Sequence, residues 1–182
     1  NIKAELIDTL NLIKGYEYLT YTNNSPDELN HVFFHLYANA FTPGSYLDKF
    51  KQSNKIQTVF RPDEKQHKGI EILSVKVNGE NLLLEIDNTI MKVFLKKPIK
   101  SGESVKFEID FESYFGGNED DGNIRRRMKM YETFGNKHYN GVHWYPRISV
   151  YDRKFGWTTD QHLGKEFYGD FGCFDVELTL PS

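Results

Sequence analysis

An all-β fold, an antiparallel β-sandwich or saddle with long decorating loops, is predicted by three features of this chain. Short stretches of alternating apolar and polar residues recur along it, turn formers punctuate them, and no long amphipathic helical run interrupts the pattern. Strands of this kind bury one face each, and packing two sheets together satisfies that requirement.

The elements follow in order. Ile2 to Ile7 alternates as a strand, and Leu10 to Thr22 continues with Tyr16, Tyr18, Leu19 and Tyr21, where Gly15 is expected to make a bulge or bend. Asn23-Asn-Ser-Pro-Asp27 is a turn, because proline fixes φ and Asn, Ser and Asp bond neighbouring backbone groups. Leu29 to Tyr37 reads as a buried strand with aromatics on both faces. Ala38 to Lys68, which contains Phe41-Thr-Pro-Gly-Ser45 and Arg61-Pro62-Asp63, reads as a short helix plus loop decorating the sheet. Ile70 to Val77 ends at Asn78-Gly79, a strong tight-hairpin signal. Leu82 to Ile86 and Thr89 to Leu95 follow, with Pro98 and Ser101-Gly102 as stops. Val105, Phe107, Ile109 and Phe111 then share one face, and Phe174 to Leu180 closes the sheet. The long segment Phe115 to Gly141 reads as a second decorating loop, of a length that is usually functional or mobile.

Composition narrows the function classes. The 182 residues suit a single domain, 1–182, and a domain near this size buries roughly 70% of its unfolded surface. A mean hydropathy of -0.61 and the lack of a long apolar run argue against a membrane-spanning helix. A net charge of -3 argues against broad nucleic-acid binding, which needs a basic face. Cys173 is the single cysteine, so no internal disulfide can form. Asn1 is not an initiator methionine and the chain enters a strand at once, so any signal peptide is expected to have been removed. A periplasmic, secreted or surface-anchored setting is favoured over a cytoplasmic one.

No metal site is expected in this segment. His31 and His35 are four apart, but a zinc-peptidase helix motif needs Glu after the first His, and Val32 stands there. On a strand the pair would lie about 13 Å apart, beyond the reach of one zinc ion. The acidic stretch Asn118 to Asp121 fails the calcium-loop pattern: aligning Gly122 to the glycine of that loop puts Gly117 first and Met128 at the position of its bidentate Glu. The neighbouring Arg125, Arg126 and Arg127 read as local charge partners or a solvated face.

The C-terminal forty residues are the densest part of the chain. His143-Trp-Tyr-Pro-Arg147, Val150-Tyr-Asp-Arg-Lys-Phe-Gly-Trp157 and Glu166-Phe-Tyr-Gly-Asp-Phe-Gly-Cys-Phe-Asp-Val-Glu-Leu-Thr-Leu-Pro181 interleave aromatics, glycines and charges. Most of the aromatics Trp144, Tyr145, Tyr151, Phe155, Trp157, Phe167, Tyr168, Phe171 and Phe174 are expected to be core and corner packing. Trp157 and Tyr168 are the two whose exposure would argue otherwise. With Tyr21 to Leu29, Phe34 to Phe41, Gly69 to Gly79 and Lys97 to Glu103, these segments resemble, in order along the chain, the N-terminal domain of aminopeptidase N-like zinc metallopeptidases of the bacterial branch.

That resemblance implies a β-saddle domain followed in the parent by a zinc-bearing catalytic domain, which would be its partner. It implies no cofactor in this segment, zinc on the missing part, and a role in capping the active-site cleft where the peptide substrate's N-terminal end is held. The family commonly has Gln just before the Trp-Tyr-Pro; here His143 stands there, so His143 and Trp144 are the expected substrate-binding residues. The segment itself is expected to have no catalysis. The alternative, a stand-alone β-sandwich module that binds carbohydrate or protein, is suggested by an aromatic content of 15%.

Overall fold

The computed structural model describes residues 1–56, 69–116, 128–164 and 167–181. In chain order, β1 (Ile2–Ile7), β2 (Leu12–Thr22) and β3 (Leu29–His35) precede a 3-10 turn over Tyr37–Phe41 and a helix, α1 (Tyr46–Ser53). Then come β4 (Ile70–Val77), β5 (Glu80–Asn81), β6 (Leu83–Asp87), β7 (Ile90–Ile99) and β8 (Ser104–Tyr114). The last third holds β9 (Lys129–Thr133), β10 (Asn136–Asn140), β11 (Arg147–Ile148), β12 (Tyr151–Asp152), β13 (Gly156–Trp157) and β14 (Val176–Thr179).

The strands form the expected all-β, sandwich-like architecture. A six-stranded sheet runs β14-β1-β2-β8-β4-β5 and a four-stranded sheet runs β11-β3-β7-β6, with β9–β10 and β12–β13 as separate two-stranded pairs. Side chains of both larger sheets meet in one core: Ile2, Val75, Phe107, Ile109 and Phe111 from the first, Val32, Phe34, Met91 and Val93 from the second. The rings of Phe34 and Phe107 meet edge-on across the layers at 5.7 Å, and both side chains are fully buried. Period-two alternation makes this possible, since every second residue of β8 from Phe107 to Phe111 faces inward.

Local chemistry sets the connections. At Asn78-Gly79 both residues take positive φ, 53° and 77°, the backbone that a tight hairpin between β4 and β5 requires. Helix α1 is short and capped: Ser45 Oγ accepts from the Asp48 N–H at 3.1 Å. The turn after β2 is held by Asn23, fully buried, whose Nδ2 donates to the carbonyls of Asp27 and Ile99 at 2.7 and 3.0 Å.

Four expectations need correction. Gly15 makes no bulge; it pairs in regular register with Ala4 and Phe111. Its purpose is close approach, because the Phe111 ring lies where a Cβ at this position would be. The irregularities fall instead between Ile72 and Ser74 and between Leu29 and His31. Pro98 does not stop its strand: β7 runs to Ile99, and its pairing with β6 already ends at Leu83↔Phe94, so no ladder bond to β6 is sacrificed there. The second half of Phe115 to Gly141 is no loop but the β9–β10 hairpin, turned at Phe134-Gly135 with positive φ at both. It packs through Met128, Met130 and Tyr139 onto Ala4, Ile13 and Phe115. Finally, the closing strand β14 pairs parallel with β1, not antiparallel. Arg61-Pro62-Asp63, Asn118 to Asp121 and Arg125 to Arg127 lie outside the described residues.

Candidate functional site

Three imidazoles gather where β3 runs into the 3-10 turn. His35 ends β3, opposite Arg147 of β11 and Ile90 of β7. Its ring stacks on Tyr37, centroids 4.7 Å apart. Tyr37 in turn meets His143 at 4.9 Å, His162 at 5.6 Å and Phe167 at 4.7 Å. Phe167 lies 3.9 Å from His143 and stacks on His162 at 4.6 Å. Tyr37 and Phe167 are therefore the shared walls of one aromatic cluster.

Each member is fixed by backbone chemistry. The Gln161 side chain accepts from the Thr89 N–H and hydroxyl at 3.1 and 2.7 Å and donates to the Asp87 carbonyl at 2.8 Å. This clamps residues 161–162 onto the β6–β7 turn, and the His162 N–H donates to Thr89 Oγ1 at 3.1 Å. His143 takes a left-handed backbone, φ 56°, which is uncommon for a residue with a Cβ. That turn separates it from its neighbour. His143 faces the imidazole cluster half-buried, while Trp144 points toward the interior, 6.2 Å from Phe111 and 5.4 Å from Tyr145. Trp144 packs against both the main core and the smaller cluster that carries the β9–β10 hairpin.

His35 is the unusual titratable group here. It is buried, and neither ring nitrogen has a hydrogen-bond partner. Burial, with the positive charge of Arg147 next in weight, pushes its pKa down to about 4, so the ring is neutral at physiological pH. His31, by contrast, sits half-buried with its ring edge-on to Phe33 at 5.2 Å. The two strand histidines thus have different ring partners, as ordinary strand residues do.

Two charged or polar groups were missed from sequence. Glu17 lies on the inward row of β2 and is almost fully buried, with Oε2 unpartnered. Burial raises its pKa to about 8. The signal was available: Ile13, Gly15, Glu17, Leu19 and Tyr21 share one face of a strand, and Glu17 stands in the apolar register. His162 carried no comparable signal, since only the fold brings it to Tyr37. Of the two aromatics singled out for exposure, Tyr168 is exposed and Trp157 is half-buried. Trp157 packs against Tyr21, Phe33 and Tyr151.

Among the described residues no group of three or more His, Cys, Asp and Glu side chains converges as a metal site. No described helix is long and apolar enough to cross a membrane.

No family model matches the chain, and no curated protein does. Solved structures that match it include M1 zinc metallopeptidases. The enzyme from Deinococcus radiodurans overlaps with a TM-score of 0.41 at 11% identity over 63% of this chain and 19% of that one. A two-domain M1 zinc metallopeptidase bound to L-tryptophan gives 0.44 at 13%, over 72% and 23%. A Deinococcus radiodurans mutant with a Tyr-Ser-Ala substrate gives 0.41 at 12%, over 74% and 23%. The chain thus spans about a fifth of the length of these structures.

Proposed function

We propose that this chain is the non-catalytic N-terminal domain of a zinc-dependent aminopeptidase, seated against the catalytic domain of the same parent. In this reading it caps one side of the active-site cleft and offers His143, with Trp144 next to it in the chain, to the N-terminal end of a peptide substrate. The observation that carries the reading is how the resembling segments close on one another. Asn23 donates its N–H to the Glu103 carbonyl at 2.9 Å and accepts from the Gly102 N–H at 2.7 Å. Tyr151 donates its hydroxyl to Asp27 at 2.8 Å, and Trp157 packs on Tyr21. Segments chosen for their resemblance, far apart in sequence, share one set of contacts.

The division of labour is physical. A metallopeptidase needs a metal-bound water and a general base, which this reading places on the parent's catalytic domain. A capping domain needs rigid polar groups at its rim. His143 meets that need, since its imidazole can donate at one nitrogen and accept at the other and is braced by Tyr37 and Phe167. Zinc analysis and hydrolysis of aminoacyl chromogenic substrates by residues 1–182 alone test this. Neither stoichiometric zinc nor turnover is expected; metal-dependent turnover would overturn the proposal.

A further inference from the structure

We propose that Arg147, His35 and Ser149 form a carboxylate-binding site on the face of the four-stranded sheet that turns away from the core. Phe34 points into the core, so by alternation its neighbours on β3, Phe33 and His35, point the other way. Arg147 stands directly opposite His35, which puts their Cβ atoms about 4.5–5.5 Å apart on that same face. Ser149 follows two residues after Arg147, and its N–H donates to the Phe33 carbonyl at 2.8 Å. The pairing therefore continues, and the Ser149 side chain joins the row.

The three side chains share one unmet need. Both nitrogens of the His35 ring and the hydroxyl of Ser149 lack a hydrogen-bond partner, although each residue is only 3% exposed; buried polar groups are ordinarily partnered. Arg147 offers a fork of N–H donors, yet its hydrogen bond among the described residues is a single one, from Nη2 to the Asp170 carbonyl, and at 3.3 Å it is long. The ion pairs of the described residues join Lys3 to Glu177, Lys76 to Asp110 and Lys96 to Glu80, and none of them neutralises Arg147. Its positive charge is felt by His35, Tyr37 and Tyr145. Gly169 lets the guanidinium lie where it does, since a Cβ at that position would fall on it.

An acceptor carrying one negative charge complements this set. A guanidinium presents two parallel N–H groups that match the two oxygens of a carboxylate. The neutral imidazole of His35 donates one N–H and the Ser149 hydroxyl another, which suit the lone pairs that the fork leaves over. A phosphate dianion would meet a single cation here, with the negative charge of Asp160 close enough to act on His35. Access is from the guanidinium side, because Arg147 is half-buried and Asp170 and Phe171 beside it are exposed. The bound anion takes the place of the Asp170 carbonyl on Arg147. The peptidase reading has no part in this inference, which concerns the 182-residue chain by itself.

NMR of the isotope-labelled chain, at neutral pH and fixed ionic strength, tests it. Sodium acetate stands for a free carboxylic acid, and an aspartyl residue blocked at both ends stands for an acidic peptide side chain. Acetamide, of the same shape without the charge, is the control. At least one carboxylate should shift the Arg147 Nε–H and His35 ring signals to saturation, and the tighter of the two identifies the source; acetamide should not. The saturating carboxylate should also raise the His35 pKa from about 4, because an anion favours the imidazolium against the opposing charges of Arg147 and His162. Arg147→Met should abolish saturation. Gly169→Ala, which displaces the guanidinium without touching β11, should weaken binding by about tenfold, the loss expected for a hydrogen bond to a charged group. Shifts no larger than those from acetamide, a His35 pKa unmoved by the carboxylate, or saturation that survives both variants overturns the proposal.

Discussion

The imidazole of His35 lies flat on the phenol ring of Tyr37, centroids 4.7 Å apart and planes 5° from parallel. The arrangement suits a neutral ring. Burial holds the His35 pKa at about 4, below its ordinary 6.5, so as pH falls below 6.5 the unfolded chain takes up a proton that the folded chain refuses. The stability tied to the neutral ring is complete above pH 6.5 and is lost progressively toward pH 4, by at most about 3 kcal/mol. Denaturant unfolding followed against pH should show this slope, and His35→Phe, which keeps an aromatic ring in the stack, should remove it. A variant with the same acid slope as the parent chain contradicts the assignment.

Glu17 imposes the opposite slope. Its pKa rises from 4.5 to about 8 through burial, so above pH 4.5 the unfolded chain ionises while the folded one stays protonated. Stability therefore declines from pH 4.5 to about 8, by at most about 5 kcal/mol. Glu17→Gln keeps the shape without the ionisation and should be the more stable protein at pH 8, with little difference at pH 4. If unfolding at pH 8 shows no gain, Glu17 is ionised and partnered in the fold.

Gly15 and Phe111 form a single fitted contact. Gly15→Ala forces the Phe111 ring from its place, and such overpacking costs about 1–3 kcal/mol. Truncating the ring by Phe111→Leu should relieve part of that cost, so the double variant should lose less than the sum of the two single losses. Strict additivity in thermal or urea unfolding would show that the contact does not exist in solution.

Asn23 should matter more than its size suggests. Asn23→Ala leaves the Ile99 carbonyl without its 3.0 Å donor in a site with no solvent access, at a cost of about 1–3 kcal/mol. Tyr151→Phe removes an exposed bond to Asp27 and should cost less than that. Reversal of this order in equilibrium unfolding would mean that the turn is not the anchor.

Much of this fold was legible in the residues, and the failures have physical causes. Alternation located β1, β4 and β8 because each buries one face, and Asn78-Gly79 announced its hairpin because few pairs accept two positive φ values. Gly15 was misread because a glycine that admits a ring from another strand looks, in one dimension, like a glycine that bends its own. The parallel pairing of β14 was hidden because pairing direction depends on where a strand returns, not on its pattern. At the candidate site the resemblance points to His143 and Trp144, but it gives no sign of the imidazole cluster that His143 joins. His162 is brought to Tyr37 by the Gln161 clamp on the β6–β7 turn, a contact that no local spacing records.

The most direct test of the central claim is steady-state aminopeptidase kinetics of the parent enzyme carrying His143→Ala. If His143 contacts the substrate's N-terminal end from a non-catalytic cap, KM should rise with kcat nearly unchanged, and kcat/KM should fall by the equivalent of about 1–3 kcal/mol. An unchanged kcat/KM, or a parent without aminopeptidase activity, would contradict the account.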